Sequence, residues 1–219
     1  ARGSMSGVIK ICGVKTAGAI DAAARAGATH IGFNFYPKSP RYVSATDAGK
    51  LAERAPGLRS VALTVDANDD MLHEISAGLH PQMWQLHGDE PPERVSAIRN
   101  IFRVPVMKAV AIETAADIAR ARKYERVADW LLFDAKPGEL PGGNGLVFDW
   151  KLIAGETWTK PWMLSGGLTA ENVADAIRLT RTHAVDVSSS VEVARGKKDP
   201  QLIERFVAAA RSAFAGNHA

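Results

Sequence analysis

Eight short apolar segments recur along the 219-residue chain, and a stretch of helical composition follows each of them. The segments are nearly continuous apolar runs, which are typical of parallel strands buried on both faces of a sheet. Such an alternation of strand and helix predicts an α/β protein. The predicted strands are 8–13, 30–35, 60–65, 83–88, 104–108, 130–134, 162–165 and 185–188.

Two α/β architectures share this alternation: a closed (β/α)8 TIM barrel and a doubly wound open sheet. An open sheet that binds a dinucleotide carries a glycine-rich turn after its first strand, whereas this turn contains Gly13 alone. No compositional break or linker divides the chain. The sequence therefore predicts one (β/α)8 barrel domain with eight parallel strands over residues 5–219. Residues 1–4, which precede Met5, are interpreted as a remnant of a cloning vector.

The amino-acid composition limits which partners the protein could bind and which cellular compartment it could occupy. A single cysteine cannot form an internal disulfide, which fits a reducing cytosol. The formal charge of +3 is small and the basic residues are scattered among acidic ones, which argues against nucleic acid but permits an anionic small-molecule substrate. No apolar run is long enough to span a membrane. We therefore expect a cytoplasmic protein that binds neither nucleic acid nor a membrane.

Polar residues occur at or just after the ends of most predicted strands. In a (β/α)8 barrel the carboxyl ends of the strands form the active-site rim, so these residues are candidates for function. For His87 and Lys108, which we expect to line the interior, a structural role is at least as plausible as a catalytic one. The candidates are Cys12, Arg41, His87, Lys108, Asp134 and Asp186, together with two Ser- and Gly-rich turns.

The first predicted strand places Lys10 and Cys12 on the same face, because side chains two apart on a strand point the same way. A lysine beside a thiol favours the thiolate, which is the reactive form. The ordinary alternative is that Cys12 is a small buried hydrophobic residue.

Two turns have the composition of a phosphate cradle. Residues 165–168 (Ser-Gly-Gly-Leu) follow the seventh strand, and residues 188–192 (Ser-Ser-Ser-Val-Glu) follow the eighth. Loops at these two positions of a barrel commonly bind phosphate through backbone N–H groups. Tight turns with helix caps are the alternative, since Ser and Gly serve both purposes. The predicted phosphate-binding residues are Gly166, Gly167, Ser188, Ser189 and Ser190.

Seven ordered motifs give the chain a family resemblance. They are 10–13 (Lys-Ile-Cys-Gly), 39–41 (Ser-Pro-Arg), 85–90 (Gln-Leu-His-Gly-Asp-Glu), 131–134 (Leu-Leu-Phe-Asp), 142–145 with 148–150, 164–168 with 171–173, and 185–189 (Val-Asp-Val-Ser-Ser). Together they resemble the phosphoribosylanthranilate isomerase family over almost the whole chain. Two positions depart from the family pattern. Residues 144–146 (Asn-Gly-Leu) stand where Thr-Gly-Lys is usual, and Ser190 stands where glycine is usual. The serine either strains the turn or adds a hydroxyl that donates to phosphate.

The resemblance implies the Amadori rearrangement of N-(5'-phosphoribosyl)anthranilate to 1-(o-carboxyphenylamino)-1-deoxyribulose 5-phosphate, a step of tryptophan biosynthesis. It implies Asp134 as the general acid and Cys12 as the general base. Burial of Asp134 among its apolar neighbours and the bound substrate would help it to keep its proton. Arg41 is expected to bind the anthranilate carboxylate through a bidentate pair, and Lys10, His87 and Asp186 are expected to bind substrate. Asp186 is the rival acid. No redox change occurs, so we expect neither a cofactor nor a metal.

The alternatives are a non-catalytic phosphosugar-binding barrel and a barrel of different specificity, such as an indole-glycerol-phosphate synthase or an aminoimidazole-ribotide isomerase. Residues 135–147 form a long Gly-rich loop beside Asp134, and we interpret this loop as a candidate lid. We expect a monomer or a homodimer.

Overall fold

A computed structural model of the chain describes residues 7–135 and 150–216. The predicted lid 135–147 therefore lies almost entirely outside the described residues, as do Asn144, Leu146 and the predicted vector remnant.

Eight parallel strands close into a barrel in which each strand pairs with the next and β1 pairs with β8. The prediction of an α/β (β/α)8 barrel is confirmed. The strands are β1 Val8–Cys12, β2 His30–Asn34, β3 Arg59–Thr64, β4 Met83–Leu86, β5 Val106–Ile112, β6 Trp130–Ala135, β7 Trp162–Ser165 and β8 Ala184–Val187. A short antiparallel hairpin that the sequence analysis does not predict follows β8, and its strands are β9 Glu192–Ala194 and β10 Lys197–Lys198.

Helices cover the outside of the barrel. Side-chain caps begin several of them: Thr16 accepts a hydrogen bond from the backbone of Ala19, and Ser44 accepts one from Asp47. Gly27, in the left-handed conformation, ends the first helix. In the described ranges the helices are α1 Ala17–Ala26, α2 Ala45–Ala52, α3 Asp69–Leu79, α4 Pro92–Phe102, α5 Ala115–Arg122, α6 Val173–Thr180 and α7 Pro200–Gly216, with short 3-10 helices at Trp150–Leu152 and Ser189–Val191.

The apolar core has two parts. The larger part lies between the strands and the helices. The smaller part fills the interior of the barrel with side chains such as Val61, Met83, Met107, Leu132 and Met163. Because this interior is packed, open space inside the barrel is confined to the carboxyl ends of the strands, as is general for this fold.

Strand β5 differs from its prediction. The sequence predicts an end at Lys108, but the strand continues to Ile112 because Ala109 and the residues after it extend the apolar run. Met107 and Ala109 face the interior, so Lys108 between them points outward. There its ammonium group lies 3.0 Å from the carboxylate of Glu90. The prediction that Lys108 lines the interior near the rim is wrong.

Candidate active site

A cavity of about 300 Å³ opens at the carboxyl ends of the strands. Every candidate residue from the sequence except Lys10 and Lys108 lines it, although these residues come from distant parts of the chain. Those residues are Cys12, Arg41, His87, Asp134, Gly166, Gly167, Asp186, Ser188, Ser189 and Ser190. The thiol and the carboxyl group predicted to act on substrate therefore share one cavity.

The order of the strands fixes the arrangement of these groups around the rim. Asp134 is on β6 and Cys12 is the last residue of β1, and strands β7 and β8 with their two turns lie between them. Arg41 follows β2, on the far side of Cys12 from the turns. Around the rim, the groups that a ligand would contact therefore follow in the order Asp134, the two turns, Cys12 and Arg41.

Lys10 lies beneath this cavity and is fully buried. Its ammonium group donates to Asp186 Oδ1 at 2.8 Å, and Ser165 Oγ donates to Asp186 Oδ2 at 2.9 Å. Although burial acts to lower the pKa of Lys10, Asp186 and Cys12 raise it above its ordinary value. The structure thus makes Lys10 the partner of Asp186 and places it outside the cavity lining.

The Cys12 thiol is buried and close to Lys10. A methyl group added at Gly32 would lie 3.1 Å from both the Cys12 Sγ and the Lys10 Nζ, so the two side chains share the space over this glycine. Burial raises the pKa of Cys12, Lys10 lowers it and Asp186 raises it, and the net shift is upward. Lys10 does favour the thiolate, as predicted, but burial and Asp186 outweigh it in the protein without substrate.

Asp134 is less buried than its apolar neighbours in sequence suggest. Its side chain is 27% exposed because it points into the cavity. The expected burial of this carboxyl group includes the bound substrate, so it stays a prediction. His87 Nε2 lies 3.3 Å from Asp134 Oδ2, and His87 Nδ1 lies 3.0 Å from Gln85 Nε2. If the Gln85 amide donates to Nδ1, the neutral imidazole carries its proton on Nε2 and donates to Asp134.

Arg41 is already engaged by a carboxylate of the protein. Its Nε and Nη2 atoms donate to Glu192 at 2.7 and 2.8 Å, and its side chain is 20% exposed at the cavity. The predicted bidentate pair is therefore present, but with Glu192 as the partner. A ligand carboxylate would have to approach the remaining Nη1 side of the guanidinium.

The two predicted phosphate turns adjoin one another. Gly166 and Gly167 have φ angles of 90° and 64°, which a residue with a side chain rarely adopts. Ser189 begins a short 3-10 helix directly after Ser188. The Gly167 N–H donates to no other residue within 7–135 and 150–216. It therefore remains available to an anion in the cavity.

Ser190 joins these turns. Its φ is not positive, so its backbone is not strained in the way that would require glycine. Its hydroxyl donates a short hydrogen bond to the carbonyl oxygen of Leu168. The positive φ that would strain a serine here is absent. The hydroxyl links the two turns through Leu168, and its contact with phosphate stays a prediction.

Sequence reasoning missed three residues of the site. Gly32 carries a local signal, since an isolated glycine inside a strand indicates a close approach. Glu192 carries none, because its partner Arg41 is 151 positions away. Lys198 carries none, because its pairing with Glu192 depends on the β9–β10 hairpin, which the sequence does not predict. The described ranges contain no group of His, Cys, Asp or Glu side chains that could hold a metal ion. No helix there is long and apolar enough to cross a membrane.

We expect Lys10→Met to lower the free energy of unfolding by about 3–5 kcal/mol, because it leaves Asp186 buried without its ion partner. It should also move the pH dependence of kcat/KM to higher pH, because Lys10 is the group that lowers the pKa of Cys12 most. Urea unfolding and a pH–rate profile measure the two effects.

Lys108→Met is the matched control, since it breaks the equally buried pair with Glu90 on the outer face of the barrel. It should cost similar stability without moving the pH profile. Equal shifts of the profile in both variants would contradict a specific action of Lys10 on Cys12.

The fold and the cavity define a (β/α)8-barrel protein whose rim combines a thiol, a carboxyl group, an arginine and two Ser- and Gly-rich turns. The family model described as "PRAI: N-(5'phosphoribosyl)anthranilate (PRA) isomerase" matches residues 9–209. This chain therefore belongs to the N-(5'-phosphoribosyl)anthranilate isomerase family, and it is an isomerase. The predicted resemblance is confirmed.

Similar proteins support this assignment over nearly the full length. The chain is 52% identical to the N-(5'-phosphoribosyl)anthranilate isomerase of Mesorhizobium japonicum over 209 residues, which covers 94% of this chain and 95% of that protein. It resembles the solved structure of the Thermotoga maritima enzyme with a TM-score of 0.85 and 37% identity, covering 94% and 98% of the two chains. A solved phosphoribosylanthranilate isomerase in complex with reduced 1-(o-carboxyphenylamino)-1-deoxyribulose 5-phosphate has a TM-score of 0.81 and 34% identity, with the same coverage.

Proposed function

We propose that this chain catalyses the Amadori rearrangement of N-(5'-phosphoribosyl)anthranilate, with Asp134 as the general acid and Cys12 as the general base. The observation that carries the proposal is the single cavity in which both side chains meet the two turns and Arg41. The turns take the phosphate, Arg41 takes the anthranilate carboxylate, and the ribose lies between the acid and the base.

The reaction needs two proton transfers at different atoms of the sugar. Asp134 gives its proton to the ring oxygen as the bond from that oxygen to C1' breaks, which leaves an open-chain Schiff base. The Cys12 thiolate then removes the proton from C2', and the electron pair of that bond forms the enolamine. Tautomerisation of the enolamine gives the ketone. The separation of Cys12 and Asp134 by two strands suits groups that act on different atoms of one ring.

The buried ion pair of Lys10 and Asp186 holds in place the charged groups next to the Cys12 thiol. Lys10 is close enough to Cys12 to stabilise the thiolate, while Asp186, held by Lys10 and Ser165, keeps the ammonium group in place. Because both Asp186 oxygens accept hydrogen bonds, we assign this carboxylate a positioning role and retain Asp134 as the acid. His87 orients Asp134 through its Nε2 atom.

Turnover of the fluorescent substrate by the purified chain tests this function. Loss of the substrate fluorescence with formation of the ribulose product supports it. Binding of substrate without turnover would favour the non-catalytic barrel, and turnover of another sugar phosphate alone would favour a different specificity. That neither a cofactor nor a metal takes part, and that the chain is a monomer or a homodimer, stay predictions.

We expect Arg41→Ala to raise KM by about 10–100-fold with a much smaller change in kcat, because a charge-assisted hydrogen bond to the substrate carboxylate is lost away from the reacting atoms. Steady-state kinetics measure this split. Arg54→Ala is the control, since Arg54 makes a comparable bidentate pair with Asp21 on the surface, away from the cavity. An unchanged KM in Arg41→Ala would remove Arg41 from the carboxylate site.

We expect inorganic phosphate to compete with substrate, because the N–H of Gly167, which has no partner among the described residues, and the turn at Ser189 together offer an anion site. Inhibition kinetics at millimolar phosphate measure this. Ser190→Ala should change the inhibition constant little, since its hydroxyl is committed to Leu168. Purely non-competitive inhibition, or none, would contradict the cradle.

A further inference from the structure

The carboxylate of Glu192 is an ionised group that the proposed mechanism does not use. Glu192 lies at the start of β9, and its side chain is 3% exposed although it is charged. It accepts from Arg41 Nε and Nη2 at 2.7 and 2.8 Å, which is a bidentate pair of the strongest kind. A buried charge of this kind is costly unless it is fully paired, so its partners matter.

Two further donors complete the surroundings of Glu192. Lys198 Nζ donates at 2.7 Å, and the Gly196 N–H donates at 3.1 Å. Gly196 has a φ of 81°, and a methyl group added there would lie 2.6 Å from the Pro40 carbonyl oxygen. The β9–β10 hairpin is therefore pressed directly against the loop that carries Arg41.

Lys198 extends the network to the turn after β8. Its buried ammonium group also donates to the Ser188 carbonyl oxygen at 2.9 Å and to Ser188 Oγ at 3.2 Å. The Ser188 hydroxyl in turn donates to the backbone oxygen of Cys12 at 3.2 Å. A continuous chain of ion pairs and hydrogen bonds thus runs from Arg41 through Glu192 and Lys198 to Ser188.

Glu192 stays ionised near neutral pH, whereas burial lowers the pKa of Lys198 below its ordinary value. Burial acts to raise the pKa of Glu192, but the hydrogen bonds from Arg41, Lys198 and the Gly196 N–H bring it down to about 2. One carboxylate lies between two cations, so the three groups carry a net charge of +1. That remaining charge is available to an anion in the cavity.

We propose that Glu192 is a positioning residue that sets the preference of the site for a substrate bearing an aromatic carboxylate. Glu192 fixes the guanidinium of Arg41 and leaves its Nη1 side to the substrate. Through Lys198 it also fixes the position of that guanidinium relative to the turn at Ser188. This inference rests on the proposed role of Arg41. The physical benefit is preorganisation, because an arginine already held by two hydrogen bonds loses little further rotamer freedom when a carboxylate binds.

A pair of inhibitors tests the preference directly. One is reduced 1-(o-carboxyphenylamino)-1-deoxyribulose 5-phosphate, and the other is the same molecule without the carboxylate. The preference for the carboxylate is the dissociation constant of the inhibitor without the carboxylate divided by that of the inhibitor with it, and this quotient is the ratio used below. We expect Glu192→Gln to lower this ratio about 10-fold, the size of a charge-assisted hydrogen bond. Binding of the inhibitor without the carboxylate, and inhibition by inorganic phosphate, should change much less.

Arg41→Ala provides the reference, because it should abolish most of the preference. In the double variant Arg41→Ala/Glu192→Gln the ratio should equal that of Arg41→Ala alone, since Glu192 acts through the arginine. Circular dichroism establishes that each variant is folded. If Glu192→Gln does not fold, Glu192→Asp keeps the charge but shortens the side chain, and it should still lower the ratio.

Equal weakening of both inhibitors in the Glu192 variants would indicate a purely structural role and overturn the proposal. A further loss of preference in the double variant would overturn it as well. An unchanged ratio in Glu192→Gln beside a lowered ratio in Arg41→Ala would refute Glu192 alone. An unchanged ratio in Arg41→Ala would refute the carboxylate site itself, and with it both assignments.

Discussion

Cys12→Ser is expected to lower kcat by about 10²–10⁴-fold, the contribution typical of a general base. The hydroxyl replaces the thiol with little change of volume, but it is far less acidic and does not supply the base. The backbone carbonyl that Ser188 contacts is retained, so the fold and the adjoining turn should be preserved. Steady-state turnover and circular dichroism measure the two effects.

Gly32→Ala is a useful companion variant to Cys12→Ser. The added methyl group would press on both Cys12 and Lys10, so it should displace the thiol without removing it and lower kcat by a smaller factor. Near-normal turnover in Cys12→Ser would refute Cys12 as the base.

Asp134→Asn is expected to lower kcat by a similar factor of about 10²–10⁴. Asparagine keeps the shape of the side chain, and its amide oxygen can still accept from His87, but it has no acidic proton to give to the ring oxygen. Asp129→Asn is the control, since Asp129 lies just before the opposite end of the same strand, where it pairs with Arg99. It should leave kcat unchanged.

The rival acid is tested by the same measurement on Asp186→Asn. Because both oxygens of Asp186 already accept hydrogen bonds from Lys10 and Ser165, this variant should retain more of kcat than Asp134→Asn. A larger loss in Asp186→Asn, with Asp134→Asn close to normal, would exchange the roles of the two carboxyl groups.

The sequence predicts most of the fold because periodicity is local. Apolar runs of strand length give eight strands in the right order, and cap residues such as Thr16 and Ser44 mark helix beginnings. The errors are also local. Lys108 interrupts an apolar run and so resembles the end of β5, although the strand continues past it. The short β9–β10 hairpin has no periodicity long enough to detect.

The location of the site is predictable for a similar reason, since the fold brings the ends of all strands together. The charge interactions and pKa shifts within the site are not predictable from the sequence. Lys10 and Cys12 are two residues apart, so their proximity can be predicted, but the burial that raises the pKa of Cys12 depends on the closed barrel. Arg41 and Glu192 are 151 positions apart in sequence, and no local pattern pairs them. The true partner of Arg41 therefore required the structure.

The central claim is that the Cys12 thiolate is the base, and one titration tests it most directly. Cys12 is the only cysteine of the chain, so the ultraviolet absorbance of its thiolate, with Cys12→Ser as the blank, gives its pKa without ambiguity. In an Asp134→Asn background, where the proposed acid no longer titrates, the rising limb of the residual kcat/KM with pH reports the essential base of the free enzyme. We predict that both midpoints coincide, above the ordinary value for a cysteine. A rising limb that stays in place in Cys12→Ser, or that does not follow the thiolate absorbance, would contradict the account.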